Sequence, residues 1–243
     1  MELRHKNHIE HYTVDGEYYD YFAFDKFLLD EIRRRYEEFF RLLRPMRGDR
    51  VLEVGSGGGG ALVHAKRMGL RYVPLDISHR NLSRIKAKAG FPVSPVAGDA
   101  FRLPFRDAGF DAVLLSEVLE HLEDPDAALA ECSRVLKARG ALVLSVPYKE
   151  KITYEICIHC NKPTPVHAHL HSFDPDSLRA RVSRAGFEPQ RLSKSLNKVF
   201  NRLHLSYWMR RMPFAAWKAA DRTFNRLIDK PTSMVLLSRK RES

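Results

Sequence analysis

The chain has 243 residues, 44% hydrophobic and 29% charged, with 13 Gly and 13 Pro; this supports a sizeable core and excludes a disordered, collagenous or low-complexity protein. Its formal charge of +11 is unevenly placed: residues 191–243 hold thirteen Lys and Arg against three Asp and Glu, and the rest of the chain is close to neutral. A basic segment confined to one end points to a local surface for phosphate, lipid headgroup or nucleic acid, not to a wholly cationic protein.

Three cysteines are too few for a disulfide scaffold, and two of them form a C-x-x-C at Cys157 and Cys160, so a reducing, cytoplasmic setting is expected. The start, MELRHKNHIEHY, lacks the apolar region of a leader. No apolar run approaches the roughly 20 residues that span a bilayer.

In chain order, an acidic and aromatic lead, HYTVDGEYYDYFAFDKF, precedes an amphipathic helix predicted over 25–43. Residues 1–48 are read as a cap on the first strand and on the mouth of a sheet. Residues 49–148 alternate short apolar runs with helical stretches, with strands predicted at 50–54, 72–76, 93–97, 112–116 and 141–146 and helices at 60–68, 78–89 and 126–137. That alternation predicts a doubly wound, mostly parallel α/β sheet in a single domain. A stretch rich in Cys, His and Pro, residues 149–173, then interrupts the pattern as an insertion. A helix at 176–185 and a strand at 187–192 resume it. A basic aromatic stretch, 199–230, forms a second insertion before a last strand at 233–238.

The first strand runs into Glu53-Val54-Gly55-Ser56-Gly57-Gly58-Gly59-Gly60 and then a helix. Five glycines in six positions let a ligand approach the backbone closely, and the helix start offers unpaired N–H groups. The same loop satisfies the dinucleotide fingerprint, and Asp76 follows it by about 20 residues, as a nicotinamide enzyme also requires. Asp76, at the end of the second strand, is suited to a ribose diol. Gly98-Asp99-Ala100 follows the third strand and offers a carboxylate to an exocyclic amino group, and FDAVLLSEVLEHLEDP carries Ser116 and Glu117 at the end of the fourth. Ligands in open α/β sheets bind outside those strand ends, so four segments converge on one crevice.

With LEVGSG, LDIS, GDAFRLPF and FDAVLLSEVLEHLEDP, the sequence resembles the class I S-adenosylmethionine-dependent methyltransferases of the small-molecule type, well over residues 30–148 and loosely over the closing strands. The resemblance implies a seven-stranded sheet whose last strand is antiparallel and lies beside the sixth. It also implies that Glu53, Gly55, Ser56, Gly57 and Gly59 line the methionine end of the cofactor, Asp76 and Ile77 the ribose, and Asp99 and Ala100 the adenine. Ser116, Glu117 and His121 would then lie near the sulfonium and the acceptor.

Methyl transfer is an in-line displacement that needs positioning above all, and a hydroxyl acceptor adds the need for a base. Glu117, Glu120 and His121 are the titratable groups at hand; on a helix, Glu117 and His121 at i, i+4 share a face. The absence of an Asn-Pro-Pro-Tyr or Asp-Pro-Pro-Tyr after strand four argues against methylation of a nucleobase amine. The expected acceptor is a small or lipid-like metabolite. A nucleic acid or protein acceptor is the alternative within the enzyme class, and a non-catalytic, zinc-stabilised binding module is the alternative outside it.

Within the insertion, Cys157, Cys160, His167, His169 and His171 fall close together, with His159 beside them. Two thiolates from a C-x-x-C and two imidazoles from alternate positions suit Zn²⁺, with Cys157, Cys160, His169 and His171 as the expected set. Cys132 is read as a core residue. In 199–230, two helices break at Met212-Pro213, and the second carries an apolar stripe of Phe214, Trp217, Phe224, Leu227 and Ile228 beside Lys218, Arg222 and Arg226. Such a face suits peripheral contact with a membrane, packing on the sheet, or, with Arg210-Arg211 and Tyr207-Trp208, nucleic acid.

Overall fold

The computed structural model describes residues 7–158 and 160–242. The first six residues of the expected cap, and His159, lie outside the described residues.

Helix α1 (His8–Tyr18) is capped by the Asn7 side chain, which accepts from the Glu10 N–H, and α2 (Lys26–Leu43) by Asp25, which accepts from Phe27 and Leu28. Strand β1 (Arg50–Val54) leads through the glycine loop to α3 (Leu62–Met68). Then come β2 (Arg71–Asp76), α4 (His79–Ala89), β3 (Val96–Ala97), β4 (Phe110–Ser116), α5 (Pro125–Val135) and β5 (Leu136–Pro147). The third strand keeps only two of the five residues expected of it. Pro92 and Pro95 remove ladder donors in FPVSPV, and β3 lies at the sheet edge, where such loss is tolerated.

A small hairpin, β6 (Tyr154–Ile156) and β7 (Pro163–Pro165), makes up much of the first insertion. Helix α6 (Pro175–Arg184), closed by a capping box at Asp174 and Ser177, leads into β8 (Phe187–Asn197). The second insertion contains α7 (Lys198–Arg202), α8 (Leu205–Trp208) and α9 (Phe214–Leu227) before β9 (Pro231–Lys240). The break falls at Pro213, as expected, but the first half divides into two short helices.

The seven-stranded sheet has the order β3-β2-β1-β4-β5-β9-β8, with β9 antiparallel to both of its neighbours. Strand order reverses between β1 and β4, which opens a crevice at their carboxyl ends. Alternate residues feed two cores. Leu52, Val113, Leu144 and Leu236 pack under α5 and α6 with Leu129, Cys132 and Val182, whereas Val51, Leu114, Val143 and Val235 pack under α2 with Tyr36, Phe39 and Phe40. Cys132 is buried as expected, and burial pushes its thiol up to about 12.

The second insertion has its own small core of Leu196, Phe200, Phe214 and Trp217. Of the stripe on α9, Phe214 and Trp217 are buried and Phe224 packs on them, which favours packing on the protein for that part, whereas Leu227 and Ile228 at its end are exposed. Lys218 is also buried; its Nζ donates to Glu38 Oε2 at 2.9 Å, Ser195 Oγ at 2.8 Å and Asp221 Oδ2 at 3.3 Å. This network ties the insertion to α2 and β8.

Candidate active site

The glycine loop needs its glycines because the N-terminal segment and α2 press against it. A Cβ on Gly58 would stand 2.2 Å from the Tyr21 carbonyl oxygen, and one on Gly60 2.1 Å from the Tyr36 ring. Tyr36 in turn donates its hydroxyl to Glu53 Oε1, and Tyr72 donates to Glu53 Oε2. Glu53 is completely buried, and burial raises its carboxyl to about 7 despite the two hydroxyls. Both oxygens of Glu53, expected at the methionine end of the cofactor, are taken up by tyrosines beneath the loop. Of the other loop residues, Gly55, Gly57 and Gly59 have positive φ, and Ser56 is buried with an unpartnered Oγ.

At the end of β2, Asp76 accepts from the Gly57 N–H at 2.7 Å and the Ser78 N–H at 2.9 Å, so one carboxylate shapes both the glycine loop and the start of α4. Burial raises its carboxyl. Ile77 is half-buried beside it. Asp99 bonds His8 Nε2 at 2.9 Å, and the His8 ring meets Phe101 edge-on, with Ala100 buried between them in sequence. Helix α1, part of the segment read as a cap on the mouth of the sheet, thus sets its first residue against Asp99 and Phe101.

Beyond β4 the helical reading of Glu117 fails. Glu117 has φ +54, held by N–H bonds to Ser145 O at 3.1 Å and Ser145 Oγ at 3.2 Å, and only a 3-10 turn, Leu119–His121, follows. Glu117 and His121 thus do not share a helical face. The left-handed backbone at Glu117 is the kind of strain that persists where surrounding structure fixes a functional residue. Ser116 is half-buried next to it. Arg35 Nε lies 3.9 Å from Glu117 Oε1, too far for a hydrogen bond, and both atoms are buried without a partner.

The neighbour that His121 does meet is Glu120. The ligand atoms of Glu120, His121 and His169 lie within 4.8 Å of one another. Sequence reasoning named Glu120 only as a possible base, because a Glu inside LEHLEDP carries no mark of complete burial.

The four zinc ligands expected from the sequence do not converge. Among the described residues the one cluster of metal-ligating groups contains His169 but neither Cys157, Cys160 nor His171. His171 Nε2 faces the Leu122 carbonyl at 2.8 Å, and His169 Nδ1 pairs with Glu150, which draws both rings towards the β4 end. The two cysteines sit instead at the turn of the β6–β7 hairpin, where Cys157 N–H donates to Lys162 O at 3.0 Å and Asn161 N–H to Cys157 O at 2.8 Å; Cys160 is exposed.

The glycine cradle, the carboxylates of Asp76 and Asp99, and the buried unpartnered atoms of Ser56 and Glu117 form one crevice suited to a small zwitterion carrying a ribose and a base. The methyltransferase-domain family matches residues 52–144, the stretch that builds this crevice. Residues 52–144 thus form a methyltransferase domain, and the crevice it builds supports an S-adenosylmethionine-dependent enzyme of class I. The chain is 28% identical over 216 residues to a ubiquinone biosynthesis O-methyltransferase of Azorhizobium caulinodans, covering 84% of this chain and 80% of that one. Over 101 residues it is 40% identical to a demethylmenaquinone methyltransferase of Thermobifida fusca, covering 40% and 43% of the two chains. In fold it is similar to the [4+2]-cyclase SpnF, with a TM-score of 0.64, 21% identity and coverage of 87% of this chain and 81% of that one.

Proposed function

We propose that the enzyme methylates a hydroxyl of a small, lipid-like aromatic acceptor of the isoprenoid-quinone class. The observation that carries the reading is the group of two carboxylates and one imidazole, buried Glu120 with half-buried Glu117 and His121, just beyond the carboxyl end of β4. A hydroxyl becomes a competent nucleophile as its proton leaves, and these are the groups placed to receive it. The names of the relatives, a ubiquinone biosynthesis O-methyltransferase and a demethylmenaquinone methyltransferase, support the acceptor class.

Bound S-adenosylmethionine would supply the electrophilic methyl group. The chain's own part is to hold the two reactants in line. In this reading Gly55, Ser56, Gly57 and Gly59 take the methionine end, Asp76 and Ile77 the ribose, Asp99 and Ala100 the adenine, and Ser116 and Glu117 border the transfer point. Methyl transfer from labelled cofactor to hydroxylated aromatics with and without an isoprenoid tail tests it. Transfer to the tailed phenols, with cofactor affinity lost in Asp76→Ala and Asp99→Ala, is expected; cofactor binding without transfer to any hydroxyl would overturn it.

The same proposal places the enzyme in the cytoplasm at the membrane face. Among the described residues no helix is long and apolar enough to cross a bilayer. Contact comes instead from exposed Leu29, Leu203, Trp208 and Met212, with Lys26, Arg202, Arg210 and Arg211 close by in sequence. A cleft of about 580 Å³ between β8 and α9, lined by Arg191, Lys194, Arg222 and Arg226, adds further cationic surface. Of the expected zinc set only Cys157 and Cys160 share one turn, that of the β6–β7 hairpin, and a zinc clip of the first insertion would rest on those two thiolates.

A further inference from the structure

We infer that Glu120, His121 and His169 form a second, separate site for a borderline divalent cation such as Zn²⁺, built where the first insertion meets the end of β4. The three side chains come from two segments far apart in sequence, yet one ligand atom from each lies within 4.8 Å of the others. Two imidazoles and one carboxylate are a common donor set for such ions and leave coordination positions open.

The second observation is Glu120 itself. Its side chain is fully buried, and neither carboxylate oxygen has a hydrogen-bond partner. A carboxylate left so in a protein interior is costly unless something cationic meets it. Its backbone, by contrast, is well engaged: the Glu120 carbonyl accepts from Leu170 N–H at 2.8 Å and His171 N–H at 3.1 Å, which pins the insertion to this point and delivers His169.

The imidazoles are oriented as metal-bound histidines are. Glu150 holds His169 at Nδ1, and His121 Nδ1 lies 3.3 Å from the Ala168 carbonyl, contacts of the outer-shell kind that orient metal-bound imidazoles. The ring centroids are 4.6 Å apart and the planes 73° to one another, an arrangement in which two rings can address one ion from different directions. Glu150 is then a positioning residue for His169. Because the cluster adjoins Glu117, an open position on the ion would be available to the acceptor hydroxyl, whose acidity it would raise and whose proton would then pass to Glu117 and not to the two ligands Glu120 and His121; this last step alone rests on the methyl-transfer reading.

The test is Co²⁺ and Zn²⁺ titration of the full chain after chelator treatment, with Co²⁺ absorption spectra as the readout. Thiolate ligation at the hairpin gives intense near-ultraviolet charge-transfer bands. The site inferred here gives visible d–d bands without them. Those d–d bands are expected in the wild type and lost in Glu120→Gln and His169→Gln, with S-adenosylmethionine binding as the check that each variant is folded. Glu150→Gln is expected to weaken Co²⁺ affinity by roughly 10- to 100-fold, as loss of an outer-shell carboxylate does; it decides the matter should Glu120→Gln fail to fold. Metal binding seen only through thiolate bands, or affinity unchanged in Glu150→Gln and His169→Gln, would overturn the assignment. None of these measurements needs turnover, so failure to find an acceptor would leave the site standing.

Discussion

His8 Nε2 lies 2.9 Å from Asp99 Oδ2, which places a side chain of α1 on the carboxylate that the adenine amino group would use. The pair is partly exposed, and an ion pair of that kind contributes little. His8→Ala is expected to tighten S-adenosylmethionine binding roughly two- to five-fold by removing the competitor. Isothermal titration gives the answer; weaker binding in the variant would mean that His8 assists the cofactor.

Lys218 and Glu38 form a pair whose side chains are 5% and 4% exposed, with Asp221 as a third member. Truncating Lys218 strands two buried acidic groups. Lys218→Ala is expected to cost about 3–5 kcal/mol in urea unfolding, as breaking a buried ion pair does. Adding Glu38→Leu to Lys218→Met should recover much of that loss, since an apolar replacement removes the unpaired charge along with its partner.

Glu53 gives a pH prediction. Its folded value of about 7 exceeds the ordinary 4.5, so between these values the folded state binds more protons than the unfolded one. Stability from this group is therefore greatest below pH 4.5, falls as pH rises towards 7, and is flat beyond. The swing is on the order of 3 kcal/mol. His64, pushed down from 6.5 to about 4 by burial, has the opposite slope over much the same range, so the clean comparison is wild type against Glu53→Gln. The variant should gain on the wild type steadily from about pH 5 to pH 7 in chemical denaturation; a constant difference would show that Glu53 titrates normally.

Trp208 is 73% exposed and Leu203 59% exposed, on the insertion that carries much of the basic excess. Trp208→Glu is expected to reduce binding to vesicles containing anionic phospholipid several-fold, with the remaining binding falling as salt rises. Leu227→Glu, on the exposed end of α9, serves as comparison. Equal losses from both would move the contact to α9.

Much of the fold was legible because its signals are local. The β1 boundaries, the glycine loop, and the places of Asp76 and Asp99 follow from apolar alternation and from residues whose backbone demands are visible one position at a time, and the antiparallel closing strand from the family resemblance. The failures share another cause. The stripe of Phe214 and Trp217 would look the same on a membrane face as in a core. Glu117 reads as helical until Ser145, on the neighbouring strand, holds it at positive φ.

The sequence by itself determined a doubly wound sheet and the place of its crevice, because hydrophobic period and glycine tolerance are properties of contiguous residues, and its four motifs carried the resemblance to methyltransferases. Only the tertiary structure decided that Glu53 is sealed beneath two tyrosines and that His169 leaves the cysteines to join Glu120 and His121. Those outcomes depend on which distant segments meet. The meeting is governed by burial and by the pairing of polar groups across the fold, and neither is written in the spacing of residues along the chain.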